Sequence, residues 1–400
     1  PVPFGAAPPE SPFRMPKRAK GPGTQMKGRA CRRVNTEAVH ASCRPVFLGP
    51  EGGRPPGVDR AKRSVVLGSC GGAPLRQGEQ IVSSVTNKEF SVSSRSSAAV
   101  SLRRSGYKVP GFPGLLGADL SQMSREDKVE LLWAILRKKI HGLSFGPYVE
   151  GQSPGTEIGE QQIRERLQIL QPYTHWIRSF SCTEGNQETP RIAHENGLKT
   201  MVGVGLSEEL DKNEIELRNG IEVARAGHAD ILAVGNEVML REDLSEDQLI
   251  EYIQRAKAAA PGVPVGTVDA YFLFENHPRV AAACDTLLVN CYPFWESCPA
   301  EYALLYMKEM YRRAQKVADG KKVIISETGW PTVGSPFGGA IPSYDNALEY
   351  FIRTYQWAHE DGIEVFYFSS FDEAWKVGDE GDVGAHWGLW DKDGMPKYEP

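Results

Sequence analysis

Eight short apolar runs, each followed by a polar stretch long enough for a helix, constrain this chain more than any other feature. They are GLSFGPY (142–148), HWIRSF (175–180), KTMVGVGL (199–206), DILAVGNEV (230–238), VPVGTVDAY (263–271), TLLVNCYPF (286–294), KVIISETGW (322–330) and EVFYFSSFDEAW (364–375). Their starts lie 23 to 42 residues apart. Most are continuous rather than alternating, as expected of strands covered on both faces. Helical patterns fill the gaps. Ser245, with Gln248 three residues on, opens one that carries Leu249, Ile250 and Ile253, a capping-box start. A second runs through YALLYMKEMYRRAQKVADG and ends at Gly320, and a third is SYDNALEYFIRTYQWAHEDG. Eight such units in about 250 residues have the dimensions of an α/β fold of the (β/α)8 TIM-barrel type. A doubly wound open sheet is the alternative, disfavoured by the lack of Gly-x-Gly-x-x-Gly after the first run.

Ahead of the runs the chain is a different polymer. The formal charge of −5 conceals +13 up to Pro110, from 19 Lys and Arg against 6 Asp and Glu, and −18 over the rest. This first stretch has 13 prolines, no Trp, and runs such as SVSSRSSAAVSLRRS. It shows no sustained period of 3.6 or 2, so it lacks the apolar surface needed to order itself. Residues 1–118 are therefore expected to form a disordered basic arm, dispensable or not native to the protein, with the barrel over 119–400. Its charge suggests nucleic acid, but no interleaved aromatics or folded module support that partner. Ser124-Arg125-Glu126-Asp127 starts the first periodic helix, with Val129, Leu132, Leu136 and Ile140 on one face, and the working enzyme is expected to begin near Met123.

No secretory signal is visible. The apolar core of KRSVVLGSC is only Val65-Val66-Leu67, whereas a signal needs roughly 7–15 apolar residues. No run approaches the ~18 residues of a membrane span. The sequence thus favours the cytoplasm over export, with no membrane partner and a monomeric state. The seven cysteines contain no Cys-x-x-Cys pair and read as thiols. The eight histidines are scattered without an i, i+4 pair, so neither a metal site nor a cofactor is expected.

In a barrel the C-terminal strand ends form the mouth where active sites sit. Glu237 closes the fourth run and Glu327 the seventh, 90 residues apart, which places them across one mouth. A lone Glu after a strand is usually a solvated turn residue; two at facing strand tips are not explained that way. Paired carboxylates flanking a bond are the equipment of glycoside hydrolysis, one donating a proton and the other attacking or activating water. Sugars also need flat aromatic faces, and Phe294, Trp295, Trp330, Trp375, Trp387 and Trp390 fall at or just past the last three strand ends. Their Gly, Pro, Asp and Lys neighbours suggest a cleft rather than a core.

GNE on the fourth strand and SETGWPT on the seventh, with NCYPFW between and SFDEAWK after, resemble glycoside hydrolase family 17. That family holds β-1,3-glucanases and glucan transglycosylases on a (β/α)8 barrel. SFGPYVEGQSPG at the first strand is similar to its microbial branch, and the resemblance covers roughly 140–398. It implies Glu237 as acid/base, Glu327 as nucleophile, Asn236 as the contact to the sugar 2-hydroxyl, and Tyr292 as a hydrogen-bond donor to the nucleophile. Glu373 and Lys376 resemble a charged pair that tunes the two carboxylates. Lys376 is expected to hold Glu327 ionised, while a drier or more negative setting keeps Glu237 protonated. The implied partner is a β-glucan, with β-1,3 the expected linkage, cleaved with retention. Three other readings stand beside it: transglycosylation by the same carboxylates, a barrel that only binds glucan, and phosphate chemistry at the Gly-rich VGSPFGGA. The second would be expected to have lost a carboxylate, and the third lacks a basic residue in its loop.

Overall fold

The computed structural model describes residues 120–378 and 380–399, so the expected arm lies outside the described residues. A 3-10 turn at Leu120–Gln122 leads into α1 (Arg125–Arg137). Ser124 Oγ accepts the Asp127 N–H at 3.1 Å and the Asp127 carboxylate accepts the Ser124 N–H at 3.3 Å. This satisfies two donors that a helix start leaves open. Then follow β1 (Ile140–Ser144), α2 (Glu160–Leu170), β2 (Thr174–Arg178), α3 (Thr189–Glu195), β3 (Lys199–Val204), α4 (Leu210–Arg225) and β4 (Ile231–Asn236). The second half runs through α5 (Glu246–Ala259), β5 (Val265–Ala270), α6 (Tyr271–Asn276), α7 (Pro278–Ala283), β6 (Thr286–Asn290), α8 (Ala300–Val317), β7 (Lys322–Thr328), α9 (Tyr344–Asp361) and β8 (Val365–Tyr367). Each strand pairs in parallel with its sequence neighbours, and β8 closes on β1. The α/β TIM barrel is formed, and six of the eight apolar runs contain their strands whole. β1 and β2 begin ahead of their runs, at Ile140 and Thr174, so Ile140, expected on the face of the first helix, opens β1 instead.

Side chains alternate across a strand, so a continuous apolar run feeds two cores at once. Met201, Ile231, Ala233, Val268, Leu288, Ile324 and Phe366 form one cluster inside the barrel. Gly142 on β1 makes room for Phe366, since a Cβ there would run into the Phe366 ring. Val202, Val204, Leu232, Val234 and Val289 belong to the second cluster, the shell shared with the helices. Each such side chain contributes about 1.5–3 kcal/mol relative to exposure. A polar residue in a strand therefore has to be explained by what it contacts.

The last strand is shorter than its sequence run. Regular pairing ends at Tyr367; the Phe368 N–H still donates to the Thr328 carbonyl at 2.8 Å and the Ser370 N–H to the Ser144 carbonyl at 3.0 Å before the chain runs on into a 3-10 turn at Ala374–Val377. The C-terminal residues fold back: Trp133 Nε1 donates to the Tyr398 carbonyl at 2.8 Å, and Tyr398 Oη donates to the Tyr344 carbonyl at 2.9 Å. Among the described residues no helix is long and apolar enough to cross a membrane.

Candidate active site

Both mouth carboxylates follow a break in strand register. In β4, Ala233 pairs with Gly266 but Asn236 with Val268, so β4 carries one extra residue just before Glu237. In β7, Val289 faces Ile325 but Asn290 faces Glu327, so Ser326 is extra there. A bulge re-aims the side chain that follows it. Gly235 supplies the β4 bulge with a left-handed φ of 86°, and a Cβ at that position would sit 2.8 Å from Val238 Cγ2.

Glu327 is 5 % exposed. Its Oε1 pairs with Arg178 Nη1 from the end of β2, and its Oε2 accepts the Tyr292 hydroxyl at 2.7 Å. Burial, then the Glu327 charge, pushes the Tyr292 phenol far above its ordinary range, so it stays protonated and donates. The second arm of the Arg178 fork donates to Asn236 Oδ1 at 2.8 Å. With its oxygen held there, the Asn236 amide N–H2 is free to face the cavity it lines, as a sugar-hydroxyl contact requires. Arg178 is 1 % exposed and its guanidinium lies 4.3 Å from the Phe180 ring centre.

Glu237 occupies a different setting. Asn290 Nδ2 donates to its Oε1 at 2.8 Å, while Ser326 Oγ donates to Asn290 Oδ1 at 2.9 Å and so orients that amide. Burial first, then the Glu327 charge, raises its pKa above the ordinary glutamate value. The site thus holds one carboxyl inclined to keep its proton and one carboxylate clamped by a cation and a phenol. That is the division of labour between a proton donor and a nucleophile.

The two glutamates open onto a cavity of about 460 Å³ walled by the ends of β1 to β4 and the loop after β8. Tyr148, Phe180, Trp375, Glu373, Lys376 and Glu380 are among its lining residues. Glu373 pairs with Lys376 Nζ at 3.0 Å, and Gly146 faces them because a Cβ there would collide with Glu373 Oε1. Burial works against the Lys376 charge, but Glu373 and Glu380 more than offset it and raise its pKa. The cation in direct contact with Glu327 is nonetheless Arg178; Lys376 lies over the Phe368 ring at 4.0 Å. Lys376 also feels the Glu327 charge through space, since Glu327 is among the groups that raise its pKa, so it acts beside Arg178 rather than in contact with the carboxylate.

The aromatic expectation also divides. Trp375 lines the cavity, its ring edge-on to Tyr148 at 6.0 Å. Phe294 and Trp330 are 0 % and 1 % exposed, and the Trp330 indole N–H is spent on the Ile341 carbonyl at 3.0 Å. They are core residues that seal the strand exits of β6 and β7, not sugar platforms; Trp387 and Trp390 are buried likewise. Trp295 is half-buried, packs on Trp387 at 5.6 Å and on Phe337, and is not among the residues lining this cavity. Arg178, Phe180, Tyr148 and Asn290 escaped the sequence reading. The available signal was Arg178 itself, a full charge inside the apolar run HWIRSF.

Residues 142–388 match the family model described as the BtgE/BtgC glycoside hydrolase domain. The chain is 28 % identical over 258 residues to a glucan 1,3-beta-glucosidase of Candida albicans, covering 58 % of this chain and 83 % of that one. It is 28 % identical over 251 residues to a glucan 1,3-beta-glucosidase of Schizosaccharomyces pombe, covering 58 % and 78 %. A solved glycoside hydrolase family 17 beta-1,3-glucanosyltransferase from Rhizomucor miehei superposes with a TM-score of 0.58 at 27 % identity, covering 65 % of this chain and 96 % of that one.

Proposed function

The chain belongs to glycoside hydrolase family 17, and from that premise we propose that it cleaves β-1,3-glucan by double displacement with retention of configuration. The observation that carries this reading is the contrast between the two mouth carboxyls: Glu327 held by Arg178 and Tyr292, Glu237 buried with a raised pKa. In the first step the Glu327 carboxylate attacks the anomeric carbon while Glu237 passes its proton to the departing glycosidic oxygen. In the second step Glu237, now a carboxylate, takes a proton from water as the water oxygen displaces Glu327. Asn236 steadies the 2-hydroxyl of the attacked sugar, and Trp375 offers a ring at the cavity wall. The names of the Candida and Schizosaccharomyces relatives support β-1,3-glucan as substrate.

Transfer to a second sugar is favoured by one further observation, the likeness to the Rhizomucor glucanosyltransferase. A sugar hydroxyl then replaces water in the second step, with Glu237 as base for either acceptor. Laminari-oligosaccharide products longer than the substrate mark transfer, and shorter ones alone mark hydrolysis. The test of the shared mechanism is Glu327→Ala with azide on an activated β-glucoside. We expect almost complete loss of turnover, partial recovery with azide, and an α-glucosyl azide product. Near-normal hydrolysis by that variant, or an α-anomer as the first sugar released by the native protein, refutes the proposal.

A further inference from the structure

Glu237 adopts a left-handed backbone, with φ of 53°, a conformation that costs a non-glycine residue of order 1–3 kcal/mol and persists only when its surroundings fix it. Three hydrogen bonds do so. The Glu237 N–H donates to the Val268 carbonyl at 2.8 Å, and the Arg241 N–H donates to the Glu237 carbonyl at 2.9 Å. The third comes from a side chain: the Met239 N–H donates to Asp269 Oδ2 at 3.0 Å.

Asp269 is one residue short of the end of β5 and only 2 % exposed. Its other oxygen, Oδ1, accepts the Ala270 N–H at 2.8 Å. One buried carboxyl therefore joins the exit of β5 to the turn behind Glu237, using both oxygens. The placement is expensive, because burial and then the nearby Glu237 push the Asp269 carboxyl up to about 7. An apolar residue would fill the same strand position without that cost.

We infer that Asp269 is the positioning residue for Glu237: by holding the Met239 N–H it fixes the left-handed turn that aims the acid/base carboxyl at the glycosidic oxygen. It is not among the residues lining the cavity, and its hydrogen bonds act on the turn that follows Glu237 and on the exit of β5. The inference rests on the reading of Glu237 as acid/base.

Its signature is a leaving-group effect, since proton donation matters only when the departing oxygen is basic. The experiment compares Asp269→Ala, Asp269→Asn and Glu237→Gln on two aryl β-laminaribiosides, one with a good and one with a poor leaving group, alongside melting temperatures. Asp269→Ala should lower kcat on the poor leaving group by roughly 10–100-fold, less than the roughly 100–10,000-fold of losing a positioned acid outright, because the carboxyl is misaimed rather than removed. On the good leaving group it should lose less than about 5-fold, with KM nearly unchanged. Asn offers one oxygen to two N–H donors and should fall between native and Ala. If the Ala variant does not fold, the Asn variant carries the same comparison. A steep leaving-group effect in Glu237→Gln with none in the Asp269 variants overturns the positioning role alone. No leaving-group effect in Glu237→Gln overturns the acid/base reading beneath it.

Discussion

Arg178 shows how much one side chain organises here. Its planar fork reaches Glu327 with one nitrogen and Asn236 with the other, a geometry that a lysine ammonium cannot reproduce from a single point. Arg178→Lys is therefore expected to keep a positive charge beside Glu327 but release the Asn236 amide to rotate. Charge-assisted hydrogen bonds are worth about 1.5–3 kcal/mol, so the preference for a glucoside over its 2-deoxy analogue should fall by roughly 10-fold or more. Comparing kcat/KM for the two substrates in native and variant protein measures it; an unchanged ratio means Asn236 does not depend on Arg178. Glu237 and Glu327 were legible as a pair: one carboxylate ending an apolar run reads as a solvated turn residue, but two at strand tips facing each other across one mouth do not. Arg178 was legible only in principle, since one charge in HWIRSF reads equally well as a solvated strand position. Phe294 and Trp330 were misread because Gly and Pro neighbours reveal a turn but not which side of the turn is wet.

At the level of elements, burial at the foot of β1 sets an acid limit on stability. His141 stacks on Trp176 at 5.4 Å and meets Phe366 edge-on at 5.1 Å. Burial lowers its pKa from 6.5 to about 4, against the opposing pull of Glu364. An unfolded chain binds this proton near pH 6.5 and the folded one only near 4, so the contribution is complete above 6.5. It is lost as pH falls toward 4, and amounts to as much as about 3 kcal/mol. His141→Phe should flatten the fall in melting temperature across that window; parallel curves for native and variant would clear His141 of any part in acid unfolding. Elements were readable where local chemistry decides them. The Ser245–Gln248 cap closes as its residue types demand, with bonds of 3.3 and 2.9 Å, and the continuous runs became strands. The bulges in β4 and β7 were not readable, because register depends on the neighbouring strand. For the same reason EVFYFSSFDEAW looked like one long strand, although the regular strand is only Val365–Tyr367 and the residues after it make isolated backbone bonds.

On the scale of the whole molecule, the question is where the folded unit starts. The sequence offers two starts, residue 119 for the barrel domain and Met123 for the working enzyme. Packing favours the earlier one: Leu120 is 1 % exposed and belongs to the main core, and the Met123 N–H donates to its carbonyl at 3.3 Å. The same end of the molecule holds α1, whose Trp133 is tied to Tyr398, so a loss there reaches the C-terminal residues too. We propose that residues 1–118 are dispensable and that Leu120 is not. A chain starting at residue 119 should melt with the full chain and match its turnover on laminarin. One starting at Met123 gives up a buried leucine, a loss of about 2–5 kcal/mol by analogy with Leu→Ala changes in cores. It should melt at least about 4 °C lower, using a shift of roughly 2–4 °C per kcal/mol for a domain of this size. Its kcat should be unchanged below the melt, because Leu120 is remote from the mouth in sequence and packs with the shell core rather than the site. Equal melting of the two shortened chains would return the boundary to Met123, and loss of folding from residue 119 onward would make the first 118 residues part of the domain.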